Sequence, residues 1–97
     1  MTRDTILKEL SKHQVELKSR FEVASLSLFG SAARDEAVSE SDIDILVTFL
    51  KTPGIFGFLD LKAYLENIFQ CPVDLVTNNA LKKQLRTKIL QEAVHAF

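Results

Sequence analysis

The sequence predicts an α/β fold, and three observations lead to that class. Short runs of β-forming residues alternate with longer stretches of helical apolar spacing. The first such run, 23–29, closes on a Gly-Ser turn, Gly30-Ser31. Ten residues separate Ser31 from Asp42-Ile43-Asp44, two acids alternating along the next apolar run, and Asp74 stands inside a third, Val73-Asp74-Leu75-Val76.

Residues 4–21 place Ile6, Leu10, Leu17 and Phe21 on one stripe, with Lys8, Glu9, Lys12 and Glu16 elsewhere, the pattern of one amphipathic helix. In the strand 23–29, Ala24, Leu26 and Leu28 form an apolar face, while Ser25 and Ser27 interrupt the other. Residues 31–35 read as a short helical turn with Ser31 near its N-cap, and 37–41 as a loop. Residues 42–49 are the clearest strand: Ile43, Ile45, Val47 and Phe49 share one face, Asp42 and Asp44 the other. Pro53, Gly54 and Gly57 mark 51–57 as a linker. Phe58, Leu61, Leu65, Ile68 and Phe69 recur at helical spacing, with Pro72 as the stop. A strand at 73–76 and a turn at Asn78-Asn79 follow, and 81–95 closes the chain as a helix with Leu85, Ile89, Val94 and Phe97 inward.

Ninety-seven residues bound the chain to a single domain, 1–97, made of an N-terminal helix over 1–21 and a core over 22–97. The composition, 46% hydrophobic and 26% charged, is that of an ordinary soluble globular protein, and a net charge of −1 gives no global signal for a polyanionic partner. Charge is unevenly spread, with five carboxylates and no base from Asp35 to Asp44, and four bases and no acid from Lys82 to Lys88. Cys71 is the sole cysteine, which excludes a disulfide framework and a cysteine zinc site. No apolar run reaches membrane-span length and no signal-peptide pattern opens the chain, so a cytoplasmic protein without a membrane partner is expected.

Acids in strands call for a reason, because Asp is depleted there and two on one face repel. Residues two apart along a strand point the same way, so Asp42 and Asp44 can converge on one or two divalent ions, with Asp74 completing the group if its strand lies alongside. Magnesium suits such oxygen ligands and retains room for phosphates. Gly30 lets the backbone approach a phosphate and the Ser31 hydroxyl can donate to one. Arg34 can reach a triphosphate or pair locally with Asp35, Glu36 or Glu40.

Gly30-Ser31-Ala32-Ala33-Arg34, Ser41-Asp42-Ile43-Asp44-Ile45-Leu46-Val47 and Val73-Asp74-Leu75-Val76-Thr77, in that order, resemble the minimal nucleotidyltransferase (MNT) branch of the DNA polymerase beta superfamily over about residues 22–94. The resemblance implies a small mixed sheet flanked by helices. It makes Asp42, Asp44 and Asp74 the catalytic and Mg²⁺-binding acids for two ions, Asp74 also accepting the proton of an attacking hydroxyl. Gly30 and Ser31 would hold the phosphates of ATP, the substrate, assisted by Arg34. Asp35 departs from the glycine that many relatives carry after the arginine.

Proteins of this size resemble the antitoxin half of HEPN/MNT toxin–antitoxin pairs, which implies a hetero-oligomer with a HEPN ribonuclease whose tyrosine receives AMP. The alternative is a non-catalytic antitoxin that neutralises its partner by contact. Transfer to a small-molecule hydroxyl is the weakest reading, because no acceptor domain is evident, and no aromatic-plus-basic stripe offers a nucleic-acid platform.

Other residues carry weaker signals. His13, His95 and Tyr64 read as structural or solvent-facing. Lys82, Lys83, Arg86 and Lys88 read as a solvated helix face, with balancing triphosphate charge or meeting an acidic partner as the sharper options. Phe56, Phe58 and Leu59 fit either an exposed docking patch or the start of a buried helix.

Overall fold

Alternation in two seven-residue strands decides the architecture. The computed structural model describes residues 2–34 and 42–97, so the loop expected at 37–41 and the departure at Asp35 lie outside the described residues. The elements run α1 (Arg3–Lys12), α2 (Gln14–Arg20), β1 (Val23–Phe29), α3 (Gly30–Ala33), β2 (Ile43–Phe49), α4 (Ile55–Phe69), β3 (Val73–Thr77), a 3-10 turn (Asn78–Ala80), α5 (Lys83–Glu92) and β4 (Val94–His95). The strands form one mixed sheet in the order β3-β2-β1-β4, with β2 and β3 parallel and the other two pairs antiparallel.

One face of this sheet makes the core. Leu26 and Leu28 of β1, Ile43, Ile45 and Val47 of β2, and Val73 and Leu75 of β3 are buried against Ile6 and Leu10 of α1, Leu17 of α2, and Leu61, Leu65 and Phe69 of α4. No polar or charged residue is buried among the described residues. The opposite face carries Ser25 and Ser27 of β1, Asp44 and Thr48 of β2, and Asp74 of β3, with the Ser25 and Thr48 hydroxyls bonded across the strands. Parallel pairing requires a crossover, and α4 provides it.

Local physics displaces several boundaries read from the sequence. The first helix is two, because at His13 (φ −99°, ψ 9°) the chain turns, and its Nδ1 lies 2.8 Å from the Glu9 carbonyl. A register shift between Val23 and Ser25 sends Val23 into the core and leaves Ala24 half-buried. The helical turn begins at Gly30, with Phe29 at its N-cap, so Ser31 sits inside the first turn rather than at the cap. Helix α4 starts at Ile55, absorbing part of the expected linker; it ends where Gln70 takes a left-handed conformation (φ 54°), two residues before Pro72. In that stop, the Glu66 carboxylate accepts the Val73 N–H at 3.0 Å.

The C-terminal helix ends at Glu92, and Val94–His95 is a strand, because the outer edge of β1 is open to pairing with Val94 at Leu28. Leu85 is 51% exposed, whereas Ile89, Val94 and Phe97 are half-buried. Phe56 is 79% exposed and Phe58 half-buried, which places the aromatic pair at the surface end of α4. Among the described residues no helix is long and apolar enough to cross a membrane.

This division of buried and exposed residues is measurable. Ile45→Ala should cost about 3 kcal/mol, within the usual range for truncating a buried aliphatic side chain. Leu85→Ala should stay within about 0.5 kcal/mol. Urea unfolding midpoints of the two variants against the parent check both values.

Candidate active site

Two strand pairings bring two of the three predicted acids to one rung of the sheet. Asp44 lies opposite Phe29 on its antiparallel side and opposite Asp74 on its parallel side. Directly opposed residues share a face, and neighbouring strands lie about 4.8 Å apart. The side chains of Asp44 and Asp74 therefore stand side by side across the strands, near enough for Asp74 to act on Asp44. Asp44 is half-buried, while Asp42 and Asp74 are exposed.

That placement sets the protonation of the pair. The Asp44 carboxyl is pushed up to about 6, first by burial, then by the negative charge of Asp74 and the hydrogen bond to it, then by Asp42; Arg34 pulls the other way. A cation beside Asp44 favours its charged form and opposes that rise. Among the described residues no group of three His, Cys, Asp or Glu side chains is gathered as a metal cluster. Asp74, opposite Asp44 across the strands, and Asp42, two positions before it, both act electrostatically on the Asp44 carboxyl.

Gly30 is fixed by the same carboxylate. Its φ of +65° lies in the left-handed region, and a Cβ there would collide with the Asp44 carboxylate oxygen and stand 3.2 Å from its Cγ. Both the backbone and the space require glycine. Ser31, half-buried, follows in the first turn of α3. From α1, Arg3 donates through Nη1 to the Ala33 carbonyl at 3.1 Å, tying the end of α3 to the N-terminal helix. Arg34 comes next; its guanidinium acts on Asp44 and stands 3.9 Å from the Glu92 carboxylate at the end of α5.

Arg3 and Glu92 escaped the sequence reading, since neither belongs to a local motif. The minor candidates fall elsewhere. Tyr64 donates to Glu16 at 2.9 Å, and Arg20 donates to the same carboxylate at 3.2 Å, in a network joining α2 to α4. His95 is exposed on β4 opposite Ser27.

The donor set fits a divalent cation on chemical grounds. Asp44 and Asp74 supply hard oxygen ligands whose mutual repulsion a cation relieves, and the Asp44 carboxylate lies directly against the Gly30 backbone. The nucleotidyltransferase domain family matches residues 10–95. The chain belongs to that family.

Relatives extend over nearly the whole chain. MntA, a protein adenylyltransferase of Thermococcus cleftensis, is 39% identical over 95 residues, covering 98% of this chain and 96% of that protein. A Methanocaldococcus jannaschii protein assigned as a protein adenylyltransferase is 46% identical over 80 residues, 82% of this chain and 93% of its own. The fold superposes on a solved structure described as a minimal nucleotidyltransferase with a TM-score of 0.80, at 33% identity and covering 97% and 95% of the two chains. It also matches the fold of a chain from a complex of tri-AMPylated Shewanella oneidensis HEPN toxin with MNT antitoxin, at a TM-score of 0.66, 19% identity, and 94% and 71% coverage.

Two measurements probe the geometry. In metal-free protein, NMR titration of the Asp44 carboxyl should show a midpoint near 6, moving down when Mg²⁺ is added. Because the folded state holds this proton more tightly than the unfolded chain, metal-free stability should fall as pH rises from about 4 to about 6. Asp44→Asn should flatten that fall in a melting-temperature series. Gly30→Ala should displace the Asp44 carboxylate and lower nucleotide affinity at least about tenfold, the scale of one lost charge-assisted contact, as read by calorimetric titration.

Proposed function

We propose that residues 1–97 act as one domain, a Mg²⁺-dependent protein adenylyltransferase that moves AMP from ATP to a hydroxyl of a HEPN-type toxin in the cytoplasm, in hetero-oligomeric complex with that partner. The observation that carries this reading is the Asp44–Asp74 pair abutting Gly30 on one rung of the sheet. Kinship to named protein adenylyltransferases over nearly the full chain supports the protein acceptor. The shared fold with an MNT antitoxin bound to an AMPylated HEPN toxin supports the kind of partner.

In this reading Asp44 and Asp74 hold the cation pair with Asp42. Bound Mg²⁺ neutralises charge on the phosphates and on the oxygens entering and leaving phosphorus. Asp74, exposed at the rung's outer end, takes the proton of the acceptor hydroxyl. The hydroxyl oxygen bonds to the α-phosphorus, the bond from that phosphorus to the bridging oxygen breaks, and pyrophosphate leaves. Gly30 admits the phosphates close to the backbone, Ser31 donates a hydroxyl proton to them, and Arg34 contributes positive charge. Catalysis of this kind is mostly positioning and electrostatics.

The test is the intact mass of the protein that copurifies with this chain, compared between the parent and Asp42→Asn/Asp44→Asn. AMP-sized additions on the partner with the parent alone are expected. A partner held equally by both forms and modified by neither would replace this reading with an antitoxin that acts by contact.

A further inference from the structure

Helix α5 is laid on the molecule with an unusual side inward. It adds no residue to the core and lies against β1 and α3, with Glu92 at its end reaching Arg34. Its half-buried positions, Arg86 and Ile89, continue to Ala93 at i, i+3 and i+7, one stripe of a helix. Leu85 and Leu90 are left 51% and 46% exposed. An arginine thus faces the body of the protein where either leucine would have packed at lower cost.

The arginine is also unsatisfied. Arg86 Nε is buried and makes no hydrogen bond, and among the described residues its guanidinium makes no ion pair. The other buried side-chain atom without a partner is Asn78 Oδ1. Both belong to the segment that follows the Asp74 strand. An N–H withdrawn from water without an acceptor is costly, and an anion that accepts from it offsets that cost. Lys82, Lys83 and Lys88, by contrast, are exposed on the same helix and need no ligand.

We infer that Arg86 is a phosphate-binding residue of the nucleotide site, closing over the triphosphate from α5 while Gly30 and Ser31 hold it from α3. The inference rests on the nucleotidyltransferase reading above and adds to it a ligand group outside the three motif blocks. Arginine suits the role because its planar fork binds two phosphate oxygens at once. Arg34, the residue that caps α3, meets α5 through Glu92, so the two arginines lie on neighbouring elements.

The experiment measures binding of AMP-PNP with Mg²⁺ to the full chain by calorimetry, with tripolyphosphate as competitor, for the parent, Arg86→Gln, Arg86→Lys and Lys88→Gln. Arg86→Gln should weaken AMP-PNP by about 10- to 100-fold, the span of a hydrogen bond to a charged group. It should weaken tripolyphosphate in proportion. Arg86→Lys should fall between, and Lys88→Gln, which removes the same charge from the exposed face, should match the parent. Without nucleotide, Arg86→Gln should melt at or above the parent temperature, because it removes a buried Nε–H that has no acceptor. Should Arg86→Gln fail to fold, Arg86→Lys, which keeps the charge and loses Nε–H geometry, decides the point.

Three outcomes overturn the inference. Equal AMP-PNP binding by parent and Arg86→Gln removes Arg86 from the site while leaving the nucleotidyltransferase reading intact. Weakened AMP-PNP with unchanged tripolyphosphate moves the contact to the nucleoside. A parent that binds neither probe overturns both readings together.

Discussion

Asp44 is the residue around which the active face is organised. It occupies the second position of the central strand β2, with Phe29 on one side and Asp74 on the other. Half-buried there, it has less water to stabilise its charge, and the acid beside it raises its proton affinity further. The features around it answer to that carboxylate. Gly30 is a glycine because the Asp44 oxygen occupies the place of its Cβ. Arg34 is the basic group acting against the raised affinity, and its own position is shared with Glu92. A site of this kind is poor at being empty, and it gains most from the ligand it is shaped to hold.

The adjacency of the acids is a tertiary product with an identifiable cause. Parallel strands cannot be joined by a tight turn, so β2 and β3 meet through the fifteen residues of α4. The register Asp44 to Asp74 is held because Ile43, Ile45 and Val47 must share a buried face with Val73 and Leu75. A slip by one residue would turn both apolar sets to solvent and both acids to the core. Hydrophobic burial on one face thereby places carboxylates on the other to within a single position. With no polar residue buried among those described, the core contains no chemistry, and the reactive groups stand where they can vary without disturbing it.

How far this was legible in sequence follows from which interactions are local. Strand alternation from Ile43 to Phe49 and the Gly-Ser turn are local, and the fold class and the acids were read from them. The strand pairing adds the expected third acid, setting Asp74 opposite Asp44 across the parallel register, at a cross-strand distance shorter than the along-strand one. The break at His13 was invisible because the apolar spacing of Ile6, Leu10 and Leu17 continues through it. Leu85 was placed inward on period alone, though α5 turns Arg86 and Ile89 inward instead. Arg3 on Ala33 and Arg34 with Glu92 span thirty and fifty-eight positions of chain, beyond any local pattern.

Helix α5 then differs in kind from the other helices. α1, α2 and α4 each sink apolar side chains into the core, and their burial stabilises their positions. α5 buries none; it is held by the short pairing of β4 with β1, by half-buried Ile89, and by the exposed pair of Glu92 with Arg34. Exposed ion pairs of that sort contribute about 0–1 kcal/mol. With so little intrinsic docking energy, a ligand touching both α5 and α3 would supply a large share of what fixes the helix. Binding would then be coupled to the order of α5, since elements with few buried contacts open at the lowest free-energy cost. On the inference drawn for Arg86, an anion accepting from its buried Nε–H would add to the contacts that fix α5. The energetic asymmetry between α4 and α5 thus separates the element that builds the acid pair from the element that responds to what the pair holds.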